Sequence, residues 1–290
     1  HITVVIAALT AVIMFGASPV AAKIAVAAVS AIDVAILRTV IGGLFAIPIA
    51  LLLGIGFPKT GQQQILLMLS GFCGFVGFPV LFTLGVMLTS ANHASMILAA
   101  LPVFTGAIAM TWDRQRPKPR WWLGCAIALI GEAILVLSIG ADNTGASVEG
   151  DVLVLLSNLL ASLGYVAGGR LQRSGYSAMG TTFWGVGVFA VLLMIALPFV
   201  IETSELMTAG PSAWSAIAYL AIGVTIVGYM LWYWALGSGG IARVGLIQFL
   251  QPVSGVILAW LLLSETINAV FLLASAVILA GVWVALRAKD

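Results

Sequence analysis

Charge is what this chain has least of. Lys and Arg number 12 and Asp and Glu 10, 8% of 290 residues, while 62% are apolar; soluble domains run at about a quarter charged. With a mean hydropathy of +1.18, an ordinary water-soluble domain is excluded. Histidine is confined to His1 and His93, and no H-E-x-x-H spacing occurs, so an intramembrane metalloprotease lacks its ligands. A serine hydrolase lacks its base: Lys23 is the interior cation to consider, and Ser18, five residues earlier, is off its helical face. Without a Walker A motif a self-contained ATP-driven pump is excluded, leaving a gradient of substrate or protons as the energy source. No filter loop or ring of charge marks an ion channel. Cys73 and Cys125 both fall inside apolar segments, as packing residues rather than a disulfide or metal pair. A net charge of +2 suggests no nucleic-acid partner, and no cofactor is expected.

What the chain does have is long apolar runs. Ten can be marked: Thr3–Val29, Ala31–Leu53, Ile65–Leu88, Ala91–Trp112, Trp121–Ile139, Val152–Leu171, Ala178–Val200, Ala213–Leu236, Ile241–Leu263 and Ile267–Leu286. Runs of about 20–27 residues cross a hydrocarbon core of about 30 Å as helices and are too long for barrel strands. The expected fold is an all-α integral membrane protein. The even connections hold Lys59, then Arg114, Arg116, Lys118 and Arg120, then Arg170 and Arg173, then Arg243; the tail adds Arg287 and Lys289. The odd connections hold no Lys or Arg and carry Asp33, Asp142, Glu149, Asp151, Glu202, Glu205 and Glu265. Cationic loops stay cytoplasmic, so ten spans with both termini cytoplasmic are expected. The basic loop Arg114–Arg120 reads as a topology signal rather than a lipid site. The chain opens on His1 rather than Met, read as a trimmed terminus; the first segment exceeds a signal-peptide core and is expected as a retained helix.

The polar stretch Gly140–Asp151 divides the chain into five spans and five spans, residues 1–140 and 150–290, with a linker at 140–151. An odd number of spans per half inserts the second half upside down, so similar halves form an inverted repeat. At an offset of 150, Pro102/Pro252, Val103/Val253, Ala109/Ala259, Leu123/Leu273, Leu129/Leu279 and Gly131/Gly281 match. The paired prolines and glycines are the informative members, because they shape backbone. Gly71, Gly74 and Gly77, and Gly164, Gly168 and Gly169, allow close helix packing or a thin, bendable gate.

The stretch Leu246–Leu286 (LIQFLQPVSGVILAWLLLSETINAVFLLASAVILAGVWVAL) resembles the EamA-type carriers of the drug/metabolite transporter superfamily. They pair a proline-bearing ninth span with a Glu after a small residue, here Ser264–Glu265, and a glycine late in the tenth span, here Gly281. The first half echoes this with Pro102 and Gly131, but reads Trp112–Asp113–Arg114 where a Glu is expected. The resemblance covers essentially the whole chain and is greatest to the YddG-type exporters of aromatic amino acids. It implies two inverted five-helix repeats around a central cavity in the bacterial inner membrane. It further implies export of Phe, Tyr, Trp and similar small amphipathic metabolites by alternating access. Other amino acids or drugs are the alternative cargo, and a channel-like pore the alternative class. A monomer meeting only lipid and a small-molecule substrate is expected. The first, third, fourth, sixth, eighth and ninth spans are the expected lining.

Several residues on those spans suit a binding site. Gln248 and Gln251 share one helical face beside Pro252, either lining a wet cavity or bonded to a neighbouring helix. Tyr229, Trp232 and Tyr233 form an aromatic face opposite Phe75, Phe78 and Phe82. Such stripes either pack together or sandwich a planar substrate, worth roughly 0.5–1.5 kcal/mol per ring pair beyond burial. Asn158, Ser162 and Tyr165 offer orienting polar groups. Pro19, Pro79, Pro102 and Pro252 each free a carbonyl one turn earlier, and Pro102 and Pro252 are candidate hinges. Lys23 is expected to snorkel, Arg38 to lie near Asp33, and Glu132 to be a protonated structural group or a proton-coupling carboxylate. His93 is expected on a short external turn, solvated or at the cavity mouth.

Overall fold

A computed structural model describes residues 2–112, 118–137, 146–201, 203–239, 244, 247–248 and 250–286. His1, Asp113, Arg114, Arg116, Asp142, Glu202, Arg243, Arg287, Lys289 and the side chain of Glu132 lie outside what is described. Among the described residues there is helix and no strand. In chain order the helices are α1 (Ile2–Gly16), α2 (Ser18–Val26), α3 (Ala31–Leu52), α4 (Gly61–Phe72), α5 (Phe78–Leu88), α6 (Ala91–Ile97), α7 (Leu101–Trp112) and α8 (Pro119–Leu137). They continue with α9 (Val148–Arg173), α10 (Ala178–Val200), α11 (Thr203–Thr208), α12 (Pro211–Ala218), α13 (Tyr229–Gly239), α14 (Leu250–Leu263) and α15 (Ala269–Leu286). Joined end to end, they give seven stretches long and apolar enough to cross a membrane: Ile2–Val26, Ala31–Leu52, Gly61–Leu88, Ala91–Trp112, Val148–Arg173, Ala178–Val200 and Pro211–Gly239. α8, α14 and α15 are further apolar helices.

Caps, rather than the onset of apolar residues, decide where these helices begin. The hydroxyls of Ser30, Thr60, Ser90, Ser147 and Ser177 each accept the main-chain N–H three residues on, a contact worth about 1 kcal/mol. The third and sixth spans therefore start at Gly61 and Val148, ahead of Ile65 and Val152, while the eighth starts at Pro211, ahead of Ala213, with the proline in its first turn and no side-chain cap. For α9 this matters, because Asp151 enters the first helical turn, where a carboxylate suits the helix dipole.

Four of the spans are interrupted. The first breaks at Ala17, just before Pro19, so Thr3–Val29 is not one continuous helix. The third and eighth carry π-helical segments at Cys73–Gly77 and Tyr219–Gly228, a geometry frequent at functional sites. The fourth passes through a 3₁₀ turn, Leu98–Ala100, ahead of Pro102.

Packing is densest between α8 and α15 and between α3 and α10. At the first of these interfaces a Cβ added to Gly131 would meet Ile278 at 2.7 Å and the Ala274 carbonyl at 3.1 Å. One added to Gly281 would strike the Ala128 main chain and lie 2.7 Å from the Gly124 carbonyl. The two contact sets interchange at an offset of 150. Leu52, Ile65, Phe199 and Trp260 lie among the many exposed apolar side chains, which lipid solvates and water does not.

Candidate functional site

The π-helical segments of the third and eighth spans bring their aromatic faces into contact midway through the bundle. Phe75 and Tyr229 have ring centroids 4.9 Å apart, and Phe15 meets Tyr229 at 5.3 Å and Trp232 at 6.2 Å, both edge to face. Tyr165 adds contacts to Tyr229, Trp232 and Tyr233 at 6.0–6.5 Å. Phe78 stacks on Phe82 at 5.1 Å. The two expected stripes do face each other, but they touch: a planar guest needs Phe75 and Tyr229 to part. Phe15, not anticipated, closes the cluster from the first span.

Two adjacent residues of α3 reach both π segments. Thr39 donates its hydroxyl to the Phe75 carbonyl at 2.5 Å; Pro79, four residues on, has no N–H to offer that carbonyl. Arg38 donates Nε–H to the Thr225 hydroxyl at 2.8 Å, and Thr225 donates to the Leu220 carbonyl at 2.8 Å. The guanidinium lies 5.8 Å from the centroid of Phe78. Arg38 is only 1% exposed, yet neither Nη1 nor Nη2 has a hydrogen-bond partner. The expected pairing with Asp33 is thus not made through either nitrogen. Tyr229 Oη and Trp232 Nε1 are buried and unpartnered as well; the Tyr229 hydroxyl lies beside that of Tyr165 without a hydrogen bond of good geometry. Each such orphan costs about 1–3 kcal/mol, more when charged.

The remaining polar candidates have structural partners. Tyr233 donates to Ser70 (3.1 Å), because the one Ser70 proton goes to the Gly164 carbonyl (3.0 Å). The 3₁₀ turn takes the Leu101 N–H to Leu98 and leaves the Ile97 carbonyl without its helical donor. Asn158 Nδ2 fills that place at 2.7 Å, while Ser162 donates to Leu101 at 3.2 Å. These two groups therefore bind the fourth span, and Asn158 Oδ1 alone is left unpartnered. Gln248 and Gln251 are buried side by side, joined by a long Nε2–Oε1 contact of 3.4 Å. The Gln251 carbonyl faces Gly16, where a Cβ would come within 2.6 Å; that places α14 against the residue after Phe15.

At the end of the bundle that carries the acidic connections, hydrogen bonds are plentiful. His93 is buried in α6 rather than solvated on a turn: its Nδ1 lies 2.9 Å from Asp151 Oδ2, and Thr89 donates to Oδ1 at 2.5 Å. Helical extension to Val148 is what brings Asp151 there. Both Glu265 oxygens accept main-chain N–H groups at the start of α6, from Ala91 and Asn92 at 2.8 Å. Ser264, with φ 54, makes the turn that aims Glu265 inward. Lys23 does not snorkel free; it donates to the Val86 carbonyl at 2.9 Å and to that of Thr89, capping the end of α5. Here α6 packs against α2, α9 and α14.

The opposite, basic end is looser along the fourth span. Every residue from 102 to 110 is half-exposed whichever way it faces, and among the described residues α7 packs chiefly on α9. Nearby, Tyr176 donates to the Gly56 carbonyl at 2.8 Å, and burial pushes its phenol up to about 12.

A polytopic helical bundle that is tied by hydrogen bonds at one end, loose along the fourth span at the other and holds unpartnered polar atoms between them is compatible with a membrane transporter. The EamA-like transporter family matches twice, over residues 2–137 and 148–287, and this chain belongs to that family. It is 30% identical to the Bacillus subtilis protein named uncharacterized transporter YdeK over 89% of this chain and 88% of that one. It is 26% identical to a Salmonella typhimurium protein named "Probable amino-acid metabolite efflux pump", over 82% and 77% of the two chains. A "Probable terminal-alkyne amino-acid exporter" of Streptantibioticus cattleyicolor is 23% identical over 79% and 75%. A solved crystal structure of a protein 19% identical covers 100% of both chains with a TM-score of 0.67, a likeness of fold alone. These relatives are transporters, and the chain is a transporter rather than an enzyme.

Proposed function

We infer that the chain exports amino acids with aromatic or comparably apolar side chains by alternating access, in the manner of the YddG-type carriers. The observation that carries this reading is the mid-bundle cluster of Phe15, Phe75, Tyr165, Tyr229 and Trp232, apolar enough to hold a ring yet holding unpartnered polar atoms. The names of two relatives as amino-acid exporters support the cargo class. Ten spans in two inverted five-helix repeats, residues 1–140 and 150–290, are supported by the double family match and by the interchanging Gly131 and Gly281 contacts. The charge partition supports both termini in the cytoplasm of a bacterium, with the acidic end outside. In that orientation the protein is sealed outside and loosened inside, ready to load cargo from the cytoplasm as a monomer. Pro102 and Pro252 are the hinges of the exchange. Counterflow in proteoliposomes tests this: internal Phe or Trp should accelerate uptake of labelled Phe, and internal Lys or Glu should not. Flux at channel-like rates without competition replaces the carrier with a pore.

A further inference from the structure

We propose that Arg38, Tyr229 and Trp232 form a receptor for the carboxylate of the transported molecule. The inference rests on the amino-acid reading above and adds to it the group that the cargo must carry. The three side chains belong to one buried cluster and come from two helices. Thr225, which holds Arg38 Nε, lies one turn before Tyr229, and the guanidinium stands over Phe78 while Tyr229 stands over Phe75 of the same segment. Arg38 is within electrostatic reach of the Tyr229 and Tyr165 hydroxyls. Trp232 follows Tyr229 by three residues on the same face and shares its contacts with Phe15 and Tyr165.

The chemistry of the free atoms is one-sided. Nη1, Nη2 and the indole Nε1 are donors without a partner, and the phenol can donate as well. With Nε held by Thr225, the guanidinium keeps its buried Nη1–Nη2 edge free, an edge that grips a carboxylate bidentately. A buried anion satisfies all three side chains at once, whereas a cationic or neutral head group leaves the guanidinium uncompensated. The surrounding rings then take the apolar remainder of the molecule.

The test is binding of labelled Phe and labelled 3-phenylpropanoate to detergent-purified full-length protein, with phenylalaninamide as competitor, beside Phe counterflow in proteoliposomes. Phe and 3-phenylpropanoate should bind, and the amide, which keeps ring and ammonium, should compete at least about tenfold more weakly. Arg38→Gln should erase that gap and Arg38→Lys should not restore it, since an ammonium cannot offer the fork. Tyr229→Phe, which keeps the ring and removes only the hydroxyl, should weaken Phe binding several-fold. Phenylalaninamide competing as well as Phe, with Phe counterflow intact, overturns the receptor and leaves the amino-acid reading standing. Arg38-dependent binding of 3-phenylpropanoate without Phe counterflow overturns the amino-acid reading and keeps the receptor. Failure of the folded wild type to bind either carboxylate ends both. The amide comparison uses the wild type, so it decides even where an Arg38 variant does not fold.

Discussion

The acidic end and the middle of the bundle hold similar side chains in opposite states. At the acidic end, Asp151, Glu265, Lys23 and His93 all meet partners at hydrogen-bonding distance. In the middle, Arg38, Tyr229 and Trp232 are buried like Asp151 and His93, and more deeply than Lys23 and Glu265, yet keep polar atoms without partners. Near-saturation suits a seal: the bonds tie the first, third, fourth, sixth and ninth spans together, and of the buried atoms described there Asn92 Oδ1, an acceptor, is the one left over. Unmet donors suit a binding site, since a guest gains what the empty protein has to forgo.

The comparison breaks most visibly at Asp151. Asp151→Asn leaves His93 and Thr89 facing a neutral amide, and hydrogen bonds to a charged group are worth about 1.5–3 kcal/mol each. A large fall in the melting midpoint in detergent is expected, with faster thiol labelling of a Ser90→Cys probe. Next is Lys23→Met, which removes the cap from α5; a loss of about 1–3 kcal/mol is expected from hydrogen bonds to a charged donor. Tyr229→Phe sharpens the contrast from the other side. It deletes an orphan rather than a bond, so the midpoint should hold or rise while counterflow falls. The smallest effect belongs to Ser264→Gly, which removes a left-handed strain of about 1 kcal/mol and should raise the midpoint slightly without altering transport.

The apolar runs made most helices legible in the sequence, because a bilayer leaves little choice but helix once a segment is long and apolar. Helical spacing likewise showed that Tyr229, Trp232 and Tyr233 share a face. What escaped the sequence depended on contacts between distant segments. Asp151 read as a loop residue because apolarity was followed instead of the Ser147 cap, which takes the carboxylate to His93. Asn158 and Ser162 looked like free polar groups; only the turn before Pro102 shows which carbonyls need them. Phe15 and Thr225 are unremarkable in a chain so rich in apolar residues and small hydroxyls. Nothing local marks them as neighbours of Tyr229 and Arg38. The role of Glu132 lies beyond the described side chains.

The central claim is that the middle of the bundle is left unsaturated for a guest. Its most direct measurement is the melting midpoint of the wild type and of a Tyr229→Phe variant, each with and without L-phenylalanine at one fixed concentration. Phenylalanine should raise the wild-type midpoint and raise that of the variant by less, while the ligand-free variant melts no lower than the wild type. Equal shifts in both proteins, or a ligand-free variant that melts well below the wild type, would contradict the account.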